Sequence, residues 1–256
     1  MKNLTKIFLI FFLSCAFIFS TGFFIVNLKA ETSNQQIILS NNLNESEIST
    51  DNIIITAEKK LPSYVRHDVP FTAQAPFGDW NDVKQDYGCE EASIFMAIKW
   101  IEDKPFTKEE ARDAIIDMAE FQLENYNHHH DTSIADTLKL LNDYYKYTNA
   151  FAQYSIGIDD IRNELANGSV VVIPIYGRFV DNPFYSDPAP TYHQVLVVGY
   201  DNNTQELIVH DPGTSRGKNF RYTYEEITNS LIDYETGKDE PLVQRRTAML
   251  VIQPQK

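Results

Sequence analysis

Cysteine is nearly absent from this chain. Its 256 residues include only two cysteines, Cys15 in an apolar N-terminal run and Cys89 further along. The chain beyond residue 30 therefore holds one cysteine and cannot form an internal disulfide, which excludes the small disulfide-stapled scaffolds. Stability must come from a hydrophobic core.

Basic residues are also scarce. The chain has 22 Lys and Arg against 36 Asp and Glu, a net charge of −14, and three of the lysines fall within the first thirty residues, which hold no acidic residue. So acidic a surface repels polyanions, which excludes nucleic acid and anionic membrane surfaces as partners. It suits a soluble domain or a cationic partner.

Long apolar runs are missing except at the N-terminus. Lys2 and Lys6 precede an apolar run at 7–26, and "NLKAE" offers a cleavage site after Ala30. Residues 1–30 are therefore predicted to be a signal peptide. Because a run of about twenty apolar residues can span a bilayer, an uncleaved anchor is the alternative, with 7–26 as membrane tether. Either way the chain is expected to be secreted or anchored on the extracytoplasmic face.

The remainder divides into a spacer and one domain. Residues 31–60 are rich in Asn, Ser, Thr, Gln and Glu without long apolar periodicity, which indicates a flexible spacer. Residues 61–256 are long enough for one domain with a sizeable core.

Helical patterns come first in this domain and strand patterns second. The run from Cys89 to Ile101 is apolar nearly all round, which predicts a central buried helix. Thr107 and Glu110 form a capping box for the next helix, and further helices are expected near 134–145 and 159–166. The strand-like stretches are "SVVVIPIYG", "HQVLVVGY", "ELIVHD" and "TAMLVI". This order predicts an α+β fold, with the Cys-bearing helix packed on an antiparallel sheet.

Cys89 is the candidate nucleophile. It stands where the central helix begins, and the unpaired N–H groups and dipole of a helix N-terminus stabilise a thiolate. Gly88 is expected to allow a tight turn that leaves the sulfur accessible. The competing interpretation is a cysteine that packs as a small apolar residue, as free cysteines often do.

His193 and Asp211 are the candidate base and orienting residue. His193 opens one predicted strand, and Asp211 ends the next, so the intervening hairpin decides whether they meet. With a two-residue turn at Asn202-Asn203, Asp211 points to the face opposite His193. A three-residue loop, or a bulge that restores parity, puts both on one face as diagonal neighbours.

When a thiolate attacks a carbonyl group, the carbonyl oxygen becomes negatively charged and needs a hydrogen-bond donor. Two glutamines that precede the cysteine are candidates for this oxyanion donor. Gln74 and Gln85 could each offer a side-chain N–H to the developing charge. The residues alone do not choose between them.

These stretches resemble a known family. "DVPFTAQAPFGDW", "YGCEEASIFMAIKW", "YHQVLVVGYD" and "LIVHDPG" are similar to the peptidase C-39-like domain, papain-like cysteine peptidases related to bacteriocin-processing peptidases. The likeness is spread over 69–213. It implies a papain-like fold and a peptide or protein substrate. It also implies roles: Gln74 as oxyanion donor, Cys89 as nucleophile, His193 as general base and Asp211 as orienting residue.

The chain departs from the family pattern at the nucleophile. Members often read Cys-Gly-Pro, whereas Glu90 and Glu91 follow Cys89 here, and carboxylates oppose ionisation of a neighbouring thiol. The gap from Gln74 to Cys89 is also longer than in the bacteriocin-processing relatives, which keeps Gln85 as an alternative. A catalytically weak or inactive peptide-binding module of the cell envelope is therefore the second hypothesis.

Three consecutive histidines, 128–130, cannot all point at one ion from a helix or strand, so neither a metal nor another cofactor is expected.

The proline- and aromatic-rich stretch from Arg178 to His193 is predicted to be a loop beside the active site.

Overall fold

The computed structural model describes residues 60–238 and 246–255. The predicted signal or anchor at 1–30 and, apart from Lys60, the predicted spacer lie outside the described residues. No helix within these ranges is both long and apolar enough to cross a membrane. The N-terminal assignments therefore stay predictions.

Helices dominate the first half of the described chain, as the patterns indicated. The α-helices of the described ranges are α1 (Val83–Asp86), α2 (Cys89–Ile101), α3 (Lys108–Tyr126), α4 (Ile134–Tyr145), α5 (Ile158–Ala166) and α6 (Tyr224–Ser230). The capping box predicted before α3 is present: Thr107 Oγ1 accepts from the Glu110 N–H at 3.1 Å, and Glu110 Oε2 accepts from the Thr107 N–H at 2.7 Å. Each bond satisfies an N–H group that the helix leaves unpaired.

The strands form one antiparallel sheet. They are β1 (Tyr64–Arg66), β2 (Ala150–Tyr154), β3 (Val170–Tyr176), β4 (Tyr192–Asp201), β5 (Glu206–His210), β6 (Phe220–Thr223) and β7 (Ala248–Ile252). The sheet order is β2-β7-β3-β4-β5-β6, and β1 pairs with the end of β4 that extends beyond β3. Neighbouring β3, β4 and β5 therefore lie at its centre, and β4 carries His193.

Helices cover both faces of this sheet. Alternate residues of β3 face opposite ways: Val170 and Val172 join a core with α2, α3 and α4, whereas Val171 and Ile173 join a core with α5 and α6. A strand buried on both faces reads as a continuous apolar run, which explains "SVVVIPIYG". The predicted packing of the Cys-bearing helix on an antiparallel sheet is confirmed, and the second helical layer is an addition.

Candidate active site

The thiol of Cys89 is buried at the first position of α2. The residue is only 4% exposed, so the expectation of an accessible sulfur is wrong for this structure. Gly88 lies in the two-residue connection between α1 and α2, so the expected tight turn is present, and a Cβ on Gly88 would lie 2.9 Å from the Lys84 carbonyl oxygen of α1. Its backbone angles, φ −91° and ψ 23°, do not require glycine, but a Cβ there would lie 2.8 Å from Cγ2 of Ile115. Gly88 therefore permits the close approach of α2 to α3.

Two hydrogen bonds hold the Cys89 thiol. Sγ donates to Oε2 of Glu90 at 3.0 Å and accepts from the backbone N–H of Gln194 at 3.4 Å. Burial raises the pKa of Cys89 well above its usual range, and the charge of Glu90 raises it further, while the Gln194 N–H opposes both. Within the described residues the thiol has no hydrogen bond to His193. Cys89 is therefore held as a protonated thiol.

The β4–β5 hairpin brings His193 and Asp211 to the same face. Its loop has four residues, because Asp201 pairs with Glu206, so the expected turn of two or three residues is wrong. An even loop alone would put Asp211 on the other face. A register shift between Val197 and Gly199 changes which residues of β5 share a face with those of β4. When the shifted pairing is extended along the two strands, His193 lies opposite Gly213. The bulge condition derived from the sequence is therefore met.

Asp211 binds His193 and is itself surrounded by donors. Oδ1 accepts from Nε2 of His193 at 2.8 Å and from the Gly213 N–H at 2.9 Å. Oδ2 accepts from the hydroxyls of Tyr185 and Tyr222, each at 2.6 Å, and from Nδ2 of Asn182 at 3.1 Å. These partners outweigh the effect of burial, which alone would raise its pKa, and hold the pKa of Asp211 below its ordinary value. Asp211 is thus an ionised, fully buried carboxylate.

The three donors to Oδ2 were not identified from the sequence. Asn182 and Tyr185 lie in the stretch predicted to be a loop beside the active site, and Tyr222 lies on β6. The composition of that loop pointed to the region. Which of its side chains reaches Asp211 depends on long-range folding, so no local pattern could name them.

A cavity of about 780 Å³ opens beside Cys89 and His193. The predicted loop supplies one wall, from Phe184 to Tyr192, and the segments before α2 and after Asp211 supply others. Trp80 and Phe184 are exposed, at 39% and 40%. The cavity is large enough for several side chains of an extended peptide.

The two candidate glutamines occupy different places. Gln74 lines the cavity, and its Nε2 donates to the carbonyl of Asp86 at 2.6 Å. Its backbone N–H donates to the Pro212 carbonyl at 2.9 Å, which ties it to the segment after Asp211. Gln85 is buried in α1, donates to Asp82 at 2.9 Å, and is not among the residues that line the cavity. The geometry favours Gln74.

Glu90 and Glu91 are both fully buried. Oε1 of Glu90 accepts from the Thr132 N–H and from the hydroxyl of Tyr234, each at 3.0 Å. Glu91 accepts from Nε2 of Gln122. Burial raises the pKa of Glu90, and burial together with the charge of Glu90 raises that of Glu91 well above its usual range. Only Glu90 touches the thiol.

The three histidines do not form a metal centre in the described part of the chain, where no three His, Cys, Asp or Glu residues converge on one point. His130 stacks on Tyr87 with ring centroids 4.3 Å apart. Burial, together with the neighbouring His130, lowers the pKa of His129 to about 4. These rings pack beside the cavity wall that Tyr87 forms.

The family model described as Peptidase_C39 like family matches residues 66–239. The chain belongs to this family. The resemblance seen in the sequence is confirmed, and the chain is a C39-like cysteine peptidase by family. No curated protein matches the chain.

Two solved structures, one of a C39-like peptidase and one of a cysteine protease, are similar to this chain. A protein described as a C39-like peptidase from Bacillus anthracis is 14% identical, with a TM-score of 0.45 over 75% of this chain and 99% of the other. Xylellain, a cysteine protease from Xylella fastidiosa, is 16% identical, with a TM-score of 0.45 over 77% of this chain and 88% of its own.

Proposed function

We propose that this C39-like chain is an extracytoplasmic hydrolase that cleaves a peptide or related amide bond through Cys89, His193 and Asp211. The observation that carries the proposal is the buried 2.8 Å hydrogen bond from His193 to Asp211, at a cavity that Cys89 also lines. A histidine fixed by a carboxylate beside a lone cysteine is the arrangement that nucleophilic catalysis needs.

The hydrogen bond to Asp211 selects the tautomer of His193. Because the ionised carboxylate accepts from Nε2, the proton of the neutral ring lies on Nε2 and the lone pair on Nδ1. Nδ1 has no hydrogen-bond partner among the described residues. It is therefore available to take the Cys89 proton once Sγ turns from Glu90 toward the cavity.

The reaction then proceeds in two halves. Nδ1 of His193 takes the thiol proton, and the thiolate attacks the carbonyl carbon of the scissile bond. The imidazolium returns that proton to the departing amine, the C–N bond breaks, and a thioester to Cys89 remains. His193 next removes a proton from water, which attacks the thioester; the C–S bond breaks, the acid is released, and the imidazolium returns the proton to the Cys89 thiolate.

Gln74 and the Cys89 N–H are the proposed oxyanion donors. Gln74 lines the cavity, and its side chain would turn from the Asp86 carbonyl toward the negative oxygen as the oxygen forms. A donor whose acceptor becomes charged in the transition state stabilises the transition state more than the ground state.

The proposed location follows from the sequence alone. The apolar run at 7–26 and the cleavage site after Ala30 support export, either as a secreted protein or with 7–26 as a membrane tether. Fractionation of cells that express the chain, with N-terminal sequencing of the product, distinguishes these two outcomes from retention in the cytoplasm.

The test of the mechanism uses the two cysteines as a matched pair. In the full-length chain, Cys89→Ala should abolish epoxide labelling of the peptide that contains position 89 and cleavage of a synthetic peptide pool, whereas Cys15→Ala should retain both. Cleavage by Cys89→Ala at the wild-type rate would sink the proposed mechanism.

A peptide-binding module is the second candidate, and one observation favours it. The thiol donates to Glu90 at 3.0 Å and has no bond to His193 among the described residues, so the nucleophile is not activated in this arrangement. The same peptide pool separates the candidates: retention of peptides by the wild-type chain without any cleavage product supports binding alone.

A further inference from the structure

Glu90 is buried and contacts the reacting sulfur, yet the proposed mechanism gives it no role. Oε2 accepts the thiol proton of Cys89 at 3.0 Å, while Oε1 is held by the Thr132 N–H and the Tyr234 hydroxyl, each at 3.0 Å. Both oxygens are thus engaged and the residue is fully buried. A carboxylate fixed from one side presents its other oxygen to Sγ in a defined position.

We propose that Glu90 is a further catalytic residue, which holds Cys89 as a protonated thiol and keeps the nucleophile latent until Sγ turns to His193. The proposal rests on the proposed cysteine-peptidase mechanism and adds a resting state to it. Buried carboxylates are costly unless they have partners, and the partners of Glu90 include the reacting atom itself.

The surroundings of Glu90 favour a proton on the sulfur. On the same helix lie Cys89 and Glu91, Tyr234 approaches from the segment after α6, and Asp131 from the α3–α4 connection adds to the negative field at Cys89. No lysine or arginine of the described ranges forms an ion pair with Glu90. A thiolate at this position would face negative charge without a compensating cation, so the thiol form is preferred.

The proton balance of the catalytic cycle is unchanged by this role. The S–H bond turns about Cα–Cβ from Glu90 to Nδ1 of His193, and the proton passes to the imidazole, while Glu90 keeps its own charge throughout. After the transfer, the charge of Glu90 repels the thiolate and favours the position of Sγ that faces the cavity. Glu90 thereby restrains the thiol at rest and directs the thiolate once it forms.

The variant Glu90→Gln isolates the charge from the shape. Its amide oxygen can accept from Thr132 and Tyr234 as Oε1 does, and its N–H₂ can donate to the sulfur. Glu91→Gln is the matched control, because Glu91 is the next residue of α2 and equally buried but does not contact Sγ. Folding of each variant is checked by circular dichroism and thermal melting.

The measurement is the rate of iodoacetamide alkylation across pH, followed by mass spectrometry on the Cys89 peptide of the full chain so that Cys15 is counted separately. We expect Glu90→Gln to shift the profile down by about one pH unit, equivalent to about tenfold faster labelling at neutral pH. Glu91→Gln should shift it by much less.

A second variant covers the case in which Glu90→Gln does not fold. Tyr234→Phe removes one of the donors that stabilise the Glu90 charge, so it should shift the alkylation profile in the same direction by a smaller amount. Profiles of both variants that coincide with the wild-type profile would overturn the proposal.

Failure of the proposed function has a different signature. A wild-type chain that never cleaves peptides contradicts the mechanism, yet its alkylation profile still reports whether Glu90 restrains the thiol.

Discussion

Gly213 lies directly against the imidazole ring of His193. A Cβ built on Gly213 would stand 2.9 Å from Cε1 and 3.1 Å from Nε2 of that ring, and 3.2 Å from Oδ1 of Asp211. Only a residue without a side chain leaves room for the hydrogen bond between His193 and Asp211 at this point. The glycine of "LIVHDPG" is thus part of the candidate site.

Gly213→Ala should therefore reduce activity by displacing the His193 ring. A misplacement of about 1 Å can cost on the order of a hundredfold in rate, so we expect kcat to fall by about that factor. The measurement is peptide hydrolysis or, where the substrate is unknown, labelling of Cys89 by an epoxide probe. Gly157→Ala is the control, since a Cβ there meets nothing within 4 Å. Equal rates for the two variants would contradict the assigned contact.

Tyr185 couples the loop beside the cavity to Asp211. Its hydroxyl donates to Oδ2 at 2.6 Å, and its ring meets the ring of His193 edge-on with centroids 5.6 Å apart. Tyr185→Phe removes a hydrogen bond to a charged group, which typically contributes about 1.5–3 kcal/mol. We expect the pKa of Asp211 to rise and the acid limb of the activity profile to move to higher pH.

The control for this variant is Tyr224→Phe. The Tyr224 hydroxyl donates to Asn202 in the β4–β5 loop at 2.7 Å and has no bond to Asp211. Its loss should lower stability slightly without moving the acid limb. An unchanged acid limb in Tyr185→Phe would show that the loop does not act through Asp211.

Local patterns predicted much of this fold. The apolar run after Cys89 indicated the central helix because all its faces are buried, and the capping box at Thr107 located α3. The strand order and the second helical layer depend on which apolar faces meet, and no short stretch carries that information.

The candidate site, like the fold, could be predicted from the sequence only in part. Cys89, His193 and Asp211 were proposed from residue type, element ends and a family resemblance, and the parity argument correctly required a bulge for an even loop. The bulge itself has no clear local signal. The contact from Cys89 to Glu90 depends on a rotamer selected by packing, so the sequence raised the question about this carboxylate without giving its geometry.

Gln74 and Gln85 can be separated by one pair of variants. Gln74→Ala should lower kcat by about a hundred- to a thousandfold with little change in KM, because an oxyanion donor acts mainly in the transition state. Gln85→Ala should instead lower the free energy of unfolding, because Gln85 is buried and bonded to Asp82 at the start of α1. Both are measured by steady-state kinetics and urea denaturation. The reverse pattern would transfer the oxyanion role to Gln85.

Glu91 makes the stability of the domain depend on pH. Burial and the charge of Glu90 raise its pKa in the folded protein well above the ordinary 4.5. A carboxyl with a raised folded pKa binds its proton more tightly in the folded state, so its contribution is fully present below pH 4.5 and is lost as pH rises toward the folded pKa. The loss is about 1.4 kcal/mol for each pKa unit of the shift.

Glu91→Gln should remove this dependence. The amide mimics the neutral acid and keeps an oxygen for the Nε2 donor of Gln122. The free energy of unfolding is measured by urea denaturation at about pH 4 and about pH 8. We expect Glu91→Gln to be more stable relative to wild type at pH 8 than at pH 4. Glu124→Gln, at an exposed position of α3, is the control and should show no such difference between the two pH values. If the change in stability between the two pH values were equally small in both variants, Glu91 would be charged in the folded protein. That outcome would contradict the raised pKa assigned to Glu91.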